Sequence, residues 1–300
     1  MRTTSGLLLV DKPSGLTSHD VVARVRRLLD EHRVGHAGTL DPMATGLLVM
    51  AAGPSTRLLR FAQSEVKRYS GAVRLGEATD SLDADGIVTV RATVPVLSSE
   101  DMKAAAGAMI GAQQQIPPMV SALKVGGKRL HELARQGIDV VREPRGITIH
   151  EFVVMPSADV SVWNFEIECS VGTYVRVVLS DLAQRVGTVG HLIALRRLSS
   201  GSHRVDDALT LEQLGDALDR DESPLRPSSS FVTHLEHVVL EVEQERRVRR
   251  GQRIELDFPL AEGEIAAMDQ GNELIGILSR RGLTWQPDLV LPPLGESDHG

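Results

Sequence analysis

Two short, uninterrupted apolar runs constrain this chain most, Gly6-Leu7-Leu8-Leu9-Val10 and Gly46-Leu47-Leu48-Val49-Met50-Ala51-Ala52. Neither is long enough for a buried helix, and both are rich in residues that pack on a pleated surface, so each predicts a buried strand, the second a central one. The first run ends in Lys12-Pro13-Ser14-Gly15, a turn signal. Between the runs Val21, Val22, Val25, Leu28 and Leu29 recur at helical spacing, with Arg24, Arg26, Arg27 and Asp30 on the opposite face and Ser18 placed to cap.

The same reasoning divides the rest of the chain. Ser55 to Ala62 predicts a helix with Leu58, Leu59 and Phe61 inward; Tyr69 to Leu75 and Ile87 to Val90 predict strands; Ser98 opens an alanine-rich helix reaching Ile110. Gln113-Gln114-Gln115-Ile116-Pro117-Pro118 cannot continue that helix, and the glycine-rich, basic stretch beyond it predicts a long functional loop, with a short helix over residues 129–136. Strands are expected at Gly146 to Val154, Val162 to Ser170 and Gly190 to Leu198, and helices from Tyr174 to Val186 and Leu209 to Leu218. Mixed, mainly antiparallel strands with helices packed on them make an α+β domain. Pro224-Leu225-Arg226-Pro227-Ser228-Ser229-Ser230 has linker composition, so a boundary is placed there, with domains at 1–226 and 227–300. The second part predicts a helix over Glu241 to Arg250 and short strands at Glu264 to Met268, Leu274 to Leu278 and Thr284 to Val290.

Composition excludes several classes. One cysteine, Cys169, rules out a disulfide framework or a cysteine-rich zinc site and reads as a core thiol. No stretch approaches the ~20 apolar residues that cross a bilayer, and the first apolar run is short for a signal peptide, so a soluble, intracellular protein is expected. The net charge of -7 argues against a polyanionic partner as a global fact. Its distribution does not, because Lys124, Lys128, Arg129 and Arg135 form one basic cluster and Arg196, Arg197 and Arg204 another.

Chemistry is best sought in Gly35-His36-Ala37-Gly38-Thr39-Leu40-Asp41-Pro42-Met43-Ala44-Thr45-Gly46. This turn places one carboxylate among glycines that allow close approach, with Pro42 fixing the chain behind it. Lacking an acidic neighbour or metal-ligand cluster in the sequence, Asp41 is a candidate nucleophile or lone base rather than half of a carboxylate pair. Asp-Pro also starts helices, and the local sequence leaves that alternative open.

Together with Gly6 to Asp20 and Arg33-Val34-Gly35-His36, this segment resembles the bacterial tRNA pseudouridine synthase B family. Lys67-Arg68-Tyr69, Arg74-Leu75-Gly76, Thr79-Asp80, Asp83-Ala84-Asp85-Gly86, Gln115-Ile116-Pro117-Pro118, Ser121-Ala122-Leu123-Lys124, Gly172-Thr173-Tyr174-Val175-Arg176 and Leu195-Arg196-Arg197-Leu198 extend the likeness, in order, over roughly two-thirds of the chain. The resemblance implies a stand-alone isomerase that converts the T-loop uridine of tRNA to pseudouridine, with no cofactor, metal, guide RNA, membrane or obligate protein partner, acting as a cytoplasmic monomer. It implies Asp41 as nucleophile, Arg176 as the arginine pairing with it, and Tyr69 as the ring that stacks on the flipped uracil and serves the C5 proton step. His36 would fill the space left by the extruded nucleotide, Leu195 would pack against the base, and Lys12 would support the loop. Tyr174 is the other tyrosine of the chain. Residues from about 113 to 140 would form a thumb that clamps the tRNA, carrying Lys124, Lys128 and Arg129, and the C-terminal part would be a small RNA-binding domain of PUA type. Thr39 stands where some members carry other small residues. The rival reading is a tRNA-binding module with incidental catalysis, which the basic clusters fit equally well.

Overall fold

Apolar side chains on both faces of a strand require cover on both faces, and the computed structural model shows what supplies it. It describes residues 5–63, 66–121, 138, 140–257, 259 and 263–293, and the backbone of 124–125 and 128–129. In chain order the first elements are β1 (Gly6–Lys12), α1 (Ser18–Leu29), β2 (Val34–Ala37), β3 (Thr45–Ala52), a 3-10 turn over Gly53–Leu58 running into α2 (Leu59–Gln63), and β4 (Lys67–Leu75). A hairpin of β5 (Glu77–Thr79) and β6 (Val88–Arg91) precedes α3 (Ser99–Gly107) and β7 (Gly111–Gln115), and the short β8 (Lys124–Val125) and β9 (Lys128–Arg129) pair with each other. Then come β10 (Arg145–Pro156), β11 (Val162–Cys169), α4 (Val175–Arg185), β12 (Gly190–Ser200), β13 (His203–Arg204) and α5 (Leu211–Asp219). The last are β14 (His237–Val239), α6 (Val242–Arg249), β15 (Glu264–Met268), β16 (Leu274–Arg281) and β17 (Thr284–Val290).

Nine strands form one sheet in the order β1-β3-β12-β4-β11-β10-β7, with β2 beside β3 and β13 beside β12. Its pairings are antiparallel except β3 with β12, which run parallel through Arg196↔Thr45 and Arg197↔Gly46. That close pairing explains Gly46, whose φ is +97° and where a Cβ would stand inside contact distance of the Arg197 backbone. On β1 and β3, Leu8, Val10, Leu48 and Met50 pack against α1 and α5, while Leu7, Leu9, Leu47 and Val49 pack toward α2 and the C-terminal sheet. Double cover is why neither run alternates. Across the rest of the sheet, Val73, Phe165 and Ile167 meet Met102 of α3 and Val178, Leu179 and Leu182 of α4. A four-stranded sheet, β14-β15-β16-β17, closes on α6 around Trp285, Ile275, Leu278 and Val248.

The α+β class and most elements agree with the sequence, and the departures have physical causes. Thr17, not Ser18, caps α1, in a capping box with Asp20; Ser18 is free to bond elsewhere. Residues 113–115 belong to the edge strand β7 rather than to a loop, because backbone bonds to β10 hold it and its side chains alternate without being apolar. The linker-like stretch near 224–230 is tied down: Arg226 exchanges backbone bonds with Leu7, and Ser228 joins Ser55 at 2.6 Å. The parallel strand β14 is too short to leave a pattern. The helix expected over 129–136 lies outside the described residues, except for Arg129, whose backbone is in β9.

Candidate active site

Asp41 sits on the connection from β2 to β3, and neighbours satisfy that connection from below. Leu40 and Ala44 insert into the core. The buried Ser18 hydroxyl accepts the Leu40 N–H at 2.9 Å, which lashes α1 to the loop. Lys12, wholly buried at the end of β1, donates its ammonium to the carbonyls of Pro13, Leu16 and Pro42 at 3.0, 2.6 and 3.1 Å. Burial lowers the Lys12 pKa to about 8, with Arg197 adding to the fall and Asp41 opposing it. The Gly15 N–H reaches the same Pro42 carbonyl at 2.8 Å. The backbone on either side of the carboxylate is thereby fixed before any ligand arrives.

Arg176 lies in the first turn of α4, 4% exposed. Its Nη2 donates to Asp41 Oδ1 at 3.2 Å and to the Val120 carbonyl at 2.7 Å; its Nη1 donates to the Ser81 carbonyl at 3.2 Å and to Asp83 Oδ2 at 3.4 Å. The Ser81 hydroxyl and the Asp85 N–H both donate to Asp83 Oδ1, and a backbone bond from Leu192 N to Leu82 O pins this turn onto β12. Two carboxylates therefore share one guanidinium. The expectation of a lone acid is corrected here, because Asp83 is far away in sequence and close only in the fold. Burial raises the Asp41 pKa above the ordinary carboxylate range, opposed by Arg176 and reinforced by Asp83 and Asp85. The Asp41 side chain keeps 35% of its surface open, and that surface faces a cleft of about 460 Å³.

The cleft wall is built by strand register. Tyr69 on β4 stands opposite Arg197 on β12, and Leu195 opposite Gly71, so Tyr69, Arg197 and Leu195 come to one place and all line the cleft. Burial raises the Tyr69 pKa, and the Arg197 charge pulls it back. His36, also in the wall, has its pKa lowered by burial and by the Arg197 charge. Tyr174 enters beside Arg176, whose guanidinium lies 5.9 Å from its ring centre. The Tyr174 backbone is clamped by the buried Gln115 amide, which accepts from its N–H at 2.8 Å and donates to its carbonyl at 3.1 Å.

Seven of the residues singled out in the sequence, Lys12, His36, Asp41, Tyr69, Tyr174, Arg176 and Leu195, meet at or directly beneath one cleft. Lys124, Lys128 and Arg129 have side chains outside the described residues, as does all of Arg135. The second basic cluster does not form: Arg196 is held in a bidentate pair by Asp11, Arg204 pairs with Asp206, and Arg197 turns inward to 1% exposure. Period-two alternation along β12 is the signal that separates Arg196 from Arg197. Sequence reasoning gave no site role to Asp83, Gln115, Lys67 or Arg197; the density of Asp in 80–85 was the available hint for the first. Cys169 is a core thiol, its pKa raised to about 11 by burial. Among the described residues no three His, Cys, Asp or Glu side chains group as a metal set.

The fold is shared with solved structures at low identity. The chain aligns with one from "Structure of H/ACA RNP bound to a substrate RNA containing 2'-deoxyuridine" at TM-score 0.73 and 20% identity, covering 97% of this chain and 86% of that one. For a chain of "Crystal Structure of a Cbf5-Nop10-Gar1 Complex" the values are 0.72, 21%, 96% and 84%. Residues 26–175 match the TruB family pseudouridylate synthase N-terminal domain, and residues 176–245 the tRNA pseudouridylate synthase B C-terminal domain. The class is therefore an isomerase, a pseudouridylate synthase. "tRNA pseudouridine synthase B" of Arthrobacter sp. (strain FB24) is 39% identical over 97% of this chain and 98% of its own length. That of Opitutus terrae (strain DSM 11246 / JCM 15787 / PB90-1) is 47% identical over 70% and 86%. The chain belongs to the TruB family of pseudouridylate synthases.

Proposed function

We propose that this chain converts uridine 55, in the T-loop of tRNA, to pseudouridine as a stand-alone cytoplasmic monomer without guide RNA or cofactor. The observation that carries this is the Asp41–Arg176 pair at the base of a cleft walled by Tyr69 and Leu195. The reaction breaks the bond from ribose C1′ to uracil N1, turns the base and joins C1′ to C5, with loss of the C5 proton and gain of one at N1. Redox state does not change. Asp41 is the nucleophile; Arg176 orients it and opposes the burial that would protonate it. Tyr69 stacks on the everted uracil and takes the C5 proton, while Leu195 helps keep water out as the base turns. His36 fills the space vacated in the T-loop, and Tyr174 adds a second aromatic contact.

Residues 1–226 form the catalytic domain, with Lys124, Lys128 and Arg129 gripping the stem through phosphates from the thumb insertion, and 227–300 form a small RNA-binding domain of PUA type. The direct test supplies purified chain with an unmodified tRNA transcript tritiated at uracil C5, without cofactor or guide. Stoichiometric tritium release with modification mapped to the T-loop uridine is expected. Absence of release, or release from another uridine, refutes the proposal.

A further inference from the structure

Among the described residues Arg197 is a buried guanidinium with no counterion. At 1% exposure it has no carboxylate within ion-pair distance among the described residues, whereas Arg176 has two and its own neighbour Arg196 has Asp11. Its Nε donates to the Leu47 carbonyl of β3 at 2.5 Å and its Nη2 to the Gly38 carbonyl of the Asp41 loop at 3.1 Å, and Tyr69 stands opposite it in the β4–β12 register, in the same cleft wall. The loop runs close over it, since a Cβ on Gly38 would stand 3.5 Å from Nη1. A buried charge without a partner is costly to keep, and of these three neighbours only the Tyr69 oxygen can ionise.

Resting on the reading of this cleft as a pseudouridylation site, we infer that Arg197 is a positioning residue for Tyr69: it fixes the phenol oxygen relative to the Asp41 loop and supplies the cation against which that oxygen acts as a base. In the step it serves, Tyr69 first releases its hydroxyl proton to solvent, a loss that burial opposes and the Arg197 charge favours; the C5–H bond then breaks, its proton passes to the phenolate oxygen, and the bonding pair returns to the uracil ring, restoring the phenol. The other groups facing Tyr69 are Asp41, whose charge makes it harder to ionise, the Cys169 thiol, and Lys67 and His36, which line the same cleft. Asp41 belongs to the other half of the reaction, so the two arginines divide the work: Arg176 holds the nucleophile and Arg197 holds the base.

The test is a double-mutant cycle read by single-turnover pseudouridylation at saturating tRNA. Arg197→Gln is expected to lower the rate by about thirtyfold in the wild-type background but by no more than about threefold in Tyr69→Phe, with tRNA Kd changed by less than about twofold in both. Arg197→Lys keeps the cation and is the variant used if glutamine prevents folding. Replacing tyrosine by 3-fluorotyrosine, which ionises at lower pH, is expected to recover at least about threefold of the rate lost in Arg197→Lys. Equal fold-losses in the two backgrounds, or no recovery with fluorotyrosine, would reduce Arg197 to framework and overturn the inference. An inactive wild-type enzyme would instead refute the reading of the cleft, so the two failures are separable.

Discussion

The two sheets of this molecule treat charge in opposite ways. The nine-stranded sheet and its connections bury Lys12, Lys67, Asp83, Arg176, His191 and Arg197, whereas beyond Ser228 no polar or charged side chain among the described residues is buried at all. The C-terminal sheet closes on Trp285, Ile265, Ile275 and Leu278, and the arginines of α6 stand in pairs such as Arg246–Glu243 and Arg249–Glu245. Buried charge is expensive, so a fold that carries it in one region and avoids it in the other confines the costly groups to one place. Within the first region nearly every buried cation reaches the Asp41 loop, Arg176 through the carboxylate, Lys12 through the Pro42 carbonyl and Arg197 through the Gly38 carbonyl.

That contrast can be attacked from both sides. Among the residues that support the Asp41 loop, the largest effect is expected at Arg176, where lysine keeps the charge but not the fork: turnover should fall by about a hundredfold or more, with tRNA affinity within about twofold. An uncharged variant, Arg176→Gln, moves the acid limb. With Asp41 acting as its anion in the proposed reaction and its pKa already raised, activity is expected to fall as pH drops through a value above that of an ordinary aspartate. Removing the guanidinium charge removes what opposes the rise, and the limb shifts to still higher pH; a pH–rate profile with an unmoved limb would detach Arg176 from Asp41. Lys12→Met comes next. Stranding the carbonyls of Pro13, Leu16 and Pro42 should cost about 3 kcal/mol in urea unfolding, and a neutral result would show that the buried ammonium is dispensable. The smallest effect belongs to the apolar region: Ile275→Val should cost about 1 kcal/mol and leave turnover at saturating tRNA unchanged. A tenfold loss of turnover there would erase the distinction between the sheets.

How far such residues could be found beforehand follows the range of the forces involved. The unbroken runs of β1 and β3, the heptad-like face of α1 and the punctuation of the Asp41 loop are local patterns, and the elements they predict exist with ends shifted by one or two residues. Tyr69, Arg176 and Leu195 meet only through register and packing across more than a hundred residues, and their motifs, rather than their chemistry, singled them out. Asp83 and Arg197 carry only weak local signals, the density of Asp in 80–85 and the alternation along β12, and neither says by itself whether a charge is buried or solvated. The Arg196-Arg197 pair makes this concrete: adjacent and identical, one meets Asp11 at the surface and the other enters the cleft. Gln113 to Gln115 shows the converse limit, since an edge strand held by backbone bonds leaves no apolar period to read.

The central claim is that Asp41, rather than binding alone, makes this protein an enzyme, and Asp41→Asn tests it most directly. Tritium release from the T-loop uridine and tRNA Kd should be measured on the same preparation. The account predicts that release drops by at least about a thousandfold while Kd stays within about twofold of wild type. Release at the wild-type rate, or loss of binding in proportion to loss of release, would contradict it.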